Sequence, residues 1–185
     1  MKLSDLDIRL EPMPAAFAAW RAQVNGWQWI AAFEAIREEG GYLVALWGSD
    51  ERPRGRGFAV HGALASRTGL VCLTLRLPPH SPAYPDVSGL FPSAGRMQRA
   101  IHDLLGIEPK AAEDRRPWLR HGAWPGDQFP LRKDFIANAA YAGEPDDYPF
   151  VAVAGDGVHE IPVGPVHAGT IEPGHFRFSV VGEKV

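Results

Sequence analysis

The sequence predicts an α+β fold: an antiparallel three-stranded meander covered by two helices, followed by an irregular arm and a small C-terminal β-hairpin piece. Three observations predict it. Residues 27–39 and 93–105 each carry apolar side chains at helical spacing between marked ends. Between residues 42 and 77, three apolar or alternating runs follow one another through short, turn-rich links. Proline and glycine, 17 and 20 residues, are concentrated after Leu77, which predicts turns and irregular coil in the second half.

Taken in order, residues 1–12 are mixed and loosely held. Pro14 can open a short helix carrying Phe17, Trp20 and Val24, ending near Asn25 and Gly26. The helix at 27–39 buries Trp29, Ile30, Phe33 and Ile36, and Gly40 with Gly41 stops it. The strands are 42–47, 57–64 and 70–77. In the last, Val71, Leu73, Leu75 and Leu77 share one face while Cys72, Thr74 and Arg76 share the other. The proline-rich segment 77–85 is expected to lack regular structure.

In the helix at 93–105, Ser93 is placed to cap the start and Gly106 the end, with Met97, Ala100, Ile101, Leu104 and Leu105 as the apolar stripe. Arg96, Gln98, Arg99, His102 and Asp103 fall on the remaining arc, a polar face open to a partner. Residues 107–135 form an ordered arm in which DRRPWLRHGAW at 114–124 mixes arginine with tryptophan, side chains enriched at interface hot spots. Residues 1–143 make one domain, 144–148 a linker and 149–185 a second piece with strands at 150–153, 158–161 and 175–181. A piece of that size buries too little apolar surface to stand alone.

Composition narrows the function classes. A net charge of -3 argues against nucleic acid as the partner. No apolar run reaches the roughly 20 residues of a membrane span, and the N-terminus lacks a signal-like segment. The single cysteine, Cys72, excludes an internal disulfide and any multi-cysteine metal site, and fits a reducing cytoplasmic setting. Seven histidines include no HExxH. His167, Glu172 and His175 share one turn-rich hairpin and are the weak candidates for an ion; hydrogen-bonded loop histidines are the plainer reading. Nucleophile-elbow, phosphate-loop and dinucleotide motifs are absent. Cys72 reads as packing. Asp103 and Asp134 would serve acid–base chemistry only if buried together; ion pairs with Arg99, Arg132 or Lys133 are the simpler expectation.

The run QRAIHDLLGI at 98–107 resembles the signature helix of the thirty-kilodalton subunit family of respiratory complex I, through Arg99, Asp103, Leu104, Leu105, Gly106 and Ile107. Gln98 and Ala100 stand where that family carries two glutamates. PLRKDF at 130–135 is similar to the family's other hallmark. HEIPVGPVHAGTIEPGHFRF at 159–178 looks like the opening of the large subunit of complex-I-related, membrane-bound NiFe hydrogenases of the formate hydrogenlyase and hydrogenase-4 types. Ala168 and the insertion at 171–174 set it apart from complex I proper.

The resemblance implies an assembly and docking segment of an oxidoreductase complex, with no complete active site of its own. Its interface residues would be Arg99, Asp103, Gly106, Leu131, Arg132, Lys133, Asp134 and Phe135, and His167 and His175 would sit at a cavity or proton path. It implies no cofactor in this segment, with NiFe and iron–sulfur clusters elsewhere in the complex. The implied partners are the iron–sulfur small subunit, the rest of the large subunit and other peripheral-arm subunits, at the inner face of the cell membrane. Ending at Val185, the chain would be a truncated or naturally split large subunit. The competing readings are a subunit of NADH:quinone oxidoreductase, a free-standing small-molecule enzyme with a His/Asp site, and a regulatory binding protein.

Overall fold

The computed structural model describes residues 3–122, 124–143, 149–169 and 173–182, so the predicted linker at 144–148 lies outside the described residues, as does Glu172. The fold is α+β, and the chain divides into two compact units, Met1–Glu144 and Pro145–Val185.

In the first unit the strands β1 (Glu11–Pro12), β2 (Ala19–Val24), β3 (Tyr42–Asp50), β4 (Phe58–Ser66) and β5 (Gly69–Leu77) form one sheet in the order β1-β2-β5-β4-β3. The antiparallel run β3-β4-β5 is therefore part of a five-stranded sheet, extended past β5 by an N-terminal strand running parallel to it. That strand replaces the helix expected after Pro14. Ala22 and Val24 are buried while Arg21 and Gln23 are exposed, a period of two that a helix cannot satisfy. Phe17, expected on that helix, precedes the strand and is 62 % exposed. Asn25, read as the end of that helix, instead begins the next one: its side chain accepts from the Gln28 amide, and Gln28 returns a bond to the Asn25 amide.

The helix so capped, α1 (Gly26–Glu38), buries Trp29, Phe33 and Ile36 against the sheet, with the Trp29 and Phe33 rings 4.7 Å apart. The second helix, α2 (Ala94–Leu105), seats Ile101 and Leu105 on β3. The helices share one face of the sheet, and the core lies between. Ser93 makes no side-chain capping bond, contrary to expectation, because its backbone is already helical and its side chain is not set back from the first free amides.

The prolines of 77–85 do not exclude all order. Ala83–Pro85 (β6) pairs in parallel with Glu108–Lys110 (β7), closing the chain around α2. Proline is tolerated because these strands are short edges, where a missing amide donor is affordable. In the second unit Val158–Val166 (β8) and Gly174–Val181 (β9) form an antiparallel hairpin, while 150–153 is not a strand. Among the described residues no helix is long and apolar enough to cross a membrane.

Helix α2 can lie on β3 because position 48 has no side chain. A Cβ at Gly48 would come within 2.6 Å of Leu105 Cδ1 and 3.1 Å of Ile101 Cγ2. Gly48→Val is expected to lower unfolding stability by about 2 kcal/mol through overpacking. A urea titration followed by tryptophan fluorescence checks this, and a midpoint matching the parent chain would contradict the seating.

Candidate functional site

The residues singled out by motif converge on one region of the first unit, where α2 meets the arm of residues 107–143. Helix α2 ends at Gly106, which adopts a left-handed conformation (φ 67°) while its amide donates to the His102 carbonyl. A side chain there would be strained, and its Cβ would lie 2.7 Å from the Phe129 ring. The last carbonyls of α2, free by helix geometry, are taken by the second motif. The Leu131 amide donates to the Leu104 carbonyl at 3.0 Å, and Arg132 Nε donates to the Leu105 carbonyl at 2.7 Å. The Arg132 guanidinium rests on the Phe129 ring, 4.2 Å from its centre.

Asp103 and Gln98 are buried, though both were expected on an open polar arc. The cause is coverage by the chain itself. Asp103 Oδ2 accepts from three consecutive amides, Trp118 and Leu119 at 2.7 Å and Arg120 at 3.1 Å, so one carboxylate gathers the arm beyond β7. Gln98 accepts from the Val87 amide and donates to Asp86 at 2.6 Å, pinning the approach to α2. Arg99 pairs with Asp114 at 3.4 Å and lies over the Trp118 ring, 5.0 Å from its centre. Trp118 therefore lies against α2 through arginine, while remaining 37 % exposed.

Two residues that were not singled out complete the site. Asp50, at the end of β3, is buried, and its Oδ2 accepts from the Lys133 amide at 2.9 Å. Arg52 makes a forked contact with Asp50, at 2.9 and 2.7 Å, and a second with Asp134, at 3.0 and 2.7 Å. The same guanidinium stacks 4.7 Å from the Phe58 ring centre. PLRKDF is thus held by a carboxylate–guanidinium–carboxylate bridge, and Asp134 pairs with Arg52 in place of its motif neighbours. The run Asp50-Glu51-Arg52 gave no separate sequence signal, because charged residues in a turn after a strand are common.

The Arg52 hydrogen bonds hold the Asp50 carboxyl down at about 2, aided by the Lys133 and Arg52 amides against the cost of burial. Arg52 is correspondingly raised by the two carboxylates. Asp134 is lowered mainly by Arg52. Asp103 and Asp134 occupy separate anchors, so they form no acid–base pair.

The arm's outward surface carries Leu131, 52 % exposed, and Ile136, 68 % exposed, while Phe135 stacks on Tyr141 at 5.6 Å. In the second unit His167 and His175 are both exposed at the turn end of the hairpin. Among the described residues, no three His, Cys, Asp or Glu side chains are grouped to hold a metal ion. Cys72 is a free, half-buried thiol raised by burial, and one thiol does not fit the multi-cysteine ligation of an iron–sulfur or NiFe centre.

Two expectations follow. Asp103→Ala leaves three amides without an acceptor and is expected to cost about 3 kcal/mol, with hydrogen-exchange protection lost at residues 118–120; Asp103→Asn, keeping one acceptor oxygen, costs less. The Asp50 carboxyl is depressed, so its stabilisation is present above the ordinary carboxylate range and fades as pH falls from about 4 toward 2. Asp50→Asn should therefore be destabilised by about 2 kcal/mol at neutral pH and match the parent chain below about pH 2, measured by urea midpoints across pH.

With this geometry described, comparison with known proteins places the chain. The family described as "Respiratory-chain NADH dehydrogenase, 30 Kd subunit" matches residues 22–141, which include both motif blocks and their anchors. The chain is similar to formate hydrogenlyase subunit 5 of Escherichia coli (strain K12), 34 % identical over 155 residues, covering 80 % of this chain and 27 % of that protein. It is also similar to hydrogenase-4 component G of the same organism, 33 % identical over 151 residues, covering 78 % of this chain and 27 % of that protein. The chain thus spans about a quarter of the length of these relatives. A chain of the membrane-bound sulfane sulfur reductase, an archaeal respiratory membrane complex, shares the fold at a TM-score of 0.60 and 16 % identity, over 76 % of this chain and 90 % of that one. The match across 22–141 shows that the chain belongs to the thirty-kilodalton subunit family of the respiratory-chain NADH dehydrogenase.

Proposed function

We propose that this chain is a non-catalytic assembly and docking segment of a membrane-associated, complex-I-related NiFe hydrogenase of the formate hydrogenlyase type. One observation carries the proposal: two hydrogenase components align with about four-fifths of the chain at about one-third identity, over spans longer than residues 22–141. In this reading Arg99, Asp103, Gly106, Arg132, Lys133 and Asp134 act indirectly. They hold the arm rigid, and Leu131, Phe135, Ile136 and the exposed edge of Trp118 form the surface that meets an iron–sulfur small subunit and other peripheral-arm subunits. A docking surface held by buried anchors loses little conformational entropy on binding.

The hairpin supports the second half of the proposal, that residues 149–185 open a large subunit. In the β8–β9 register, Ile161 faces Phe178 and Val163 faces Phe176, all on one side. All four are at least 39 % exposed, while Glu160 and Arg177 form an ion pair at 2.8 Å on the other side. A two-stranded ribbon with an uncovered apolar face calls for more protein against it. His167 and His175 would then stand at the edge of that covered region, at a cavity or proton path. NiFe and iron–sulfur clusters would belong to the remainder of the complex, at the inner face of the cell membrane. The family's own description favours a second reading, a subunit of NADH:quinone oxidoreductase.

Tagged chain purified from its native host is expected to bring down an iron–sulfur small subunit and hydrogenase components. Ile136→Asp should reduce their recovery about tenfold, the scale of one interface hot spot. Recovery of NADH-binding subunits would select the second reading. Recovery of neither set, with the chain folded, would overturn both.

A further inference from the structure

The two edges of the five-stranded sheet are built differently. One ends in β1, two residues long and carrying Pro12, features that keep an edge from recruiting another strand. The other ends in β3, nine residues long, with no proline and no charged residue before Asp50. Its pairing is irregular between Leu43 and Ala45 and regular from there to Asp50. Which backbone groups face outward along it follows from the link between β4 and β5. Ser66 and Gly69 close a two-residue link and so exchange both ladder bonds, as do Leu64 with Val71 and Gly62 with Leu73. His61 and Ala59 therefore turn their backbone groups toward β3, where they meet Trp47 and Ser49. Leu46 and Gly48 alternate with these and point their N–H and C=O groups away from the sheet. Among the described residues those groups have no backbone partner on that side.

The open edge leads into a groove of about 460 Å³ at the end of β3, with Gly48, Ser49, Leu105, Leu131 and Lys133 among its walls. Leu131 belongs also to the arm's outward surface, so edge, groove and arm surface are continuous. Asp50 in the groove is committed to Arg52, and Glu51 to Arg54, but the Lys133 ammonium has no ion pair with a described residue. A second copy of the chain does not fit this edge. Helix α1 lies over β2, β5 and β4, whereas α2 lies over β3 itself. Two copies joined edge to edge would bring their α2 helices about as close as adjacent strands, about 5 Å, where packed helices need about 8–10 Å. A lone extended segment carries no such helix.

We propose that the outer edge of β3 takes up one extended strand of the partner subunit that docks on the arm, an inference that rests on the docking reading above. The N–H and C=O groups of Leu46 and Gly48 supply the ladder bonds, and alternate side chains of the incoming strand supply the specificity. Its inner face meets Leu105 and Leu131 and so carries apolar residues. Where it reaches the groove it presents a carboxylate to Lys133.

Single-residue hydrogen exchange, on the isolated full chain and on the complex recovered through its tag, tests this. In the isolated chain the Trp47 and Ser49 amides should be protected and those of Leu46 and Gly48 open, an alternation that marks a free edge. In the complex the Leu46 and Gly48 amides should slow about a hundredfold. Lys133→Glu should lower recovery of the partner about fivefold and leave the urea midpoint unchanged. A partner recovered with Leu46 and Gly48 still open, or recovery unaltered by Lys133→Glu, overturns the strand addition and leaves the docking reading standing. Protection of both amides already in the isolated chain also overturns it, and protection that grows with concentration gives the edge to a second copy instead. Recovery of no partner overturns the docking reading and this inference with it.

Discussion

The structure of the arm depends on one acceptor. A segment that pairs little with any sheet must still find partners for its amides, and Asp103 supplies three of them from a buried position on α2. Everything downstream is hung from that point. Arg120, once its amide is fixed, reaches the Gly126 carbonyl at 2.8 Å, and Trp124 Nε1 bonds the Gln128 carbonyl at the same distance. The chain then returns to the free end of α2 through Leu131 and Arg132, and is fastened to β3 through Lys133 and Asp50. The family's two motif blocks are therefore the two halves of one fastening.

This arrangement changes the meaning of the motif residues. An exposed charged helix face would be an interface in its own right, but here the chain's own arm covers it. Asp103 and Arg132 spend their hydrogen-bonding capacity within the chain, leaving the outer surface of the arm to the proposed partner. The buried Asp103 carboxylate is tolerated because three amides of the arm partner it, and removing it strands those amides.

Much of this was legible in the residues. The apolar stripe of α1, the alternation of β5 and the left-handed stop at Gly106 follow from local spacing, and the structure has them. Two features were not. Strand β2 was read as helix because Trp20 and Val24 share the helical interval of four, while its partner in the sheet lies far along the chain and sends no local signal. The burial of Gln98 and Asp103 was hidden for the same reason, since a polar residue is buried only when a distant segment satisfies it. Asp50 and Arg52 escaped notice because a turn after a strand ordinarily carries charge to solvent.

The parallel pairing of β2 with β5 bears on the order in which the domain assembles. Trp20 stands opposite Val71, so the N-terminal strand can be rewarded only after α1 and both hairpin links have formed. Loop closure over that separation is paid in chain entropy before any ladder bond returns it, which raises contact order and slows the final step. A nascent chain would hold β2 unpaired until β5 had left the ribosome, with the outer edge of β5 open meanwhile. The early segment of this protein thus waits for a partner about fifty residues further along the chain.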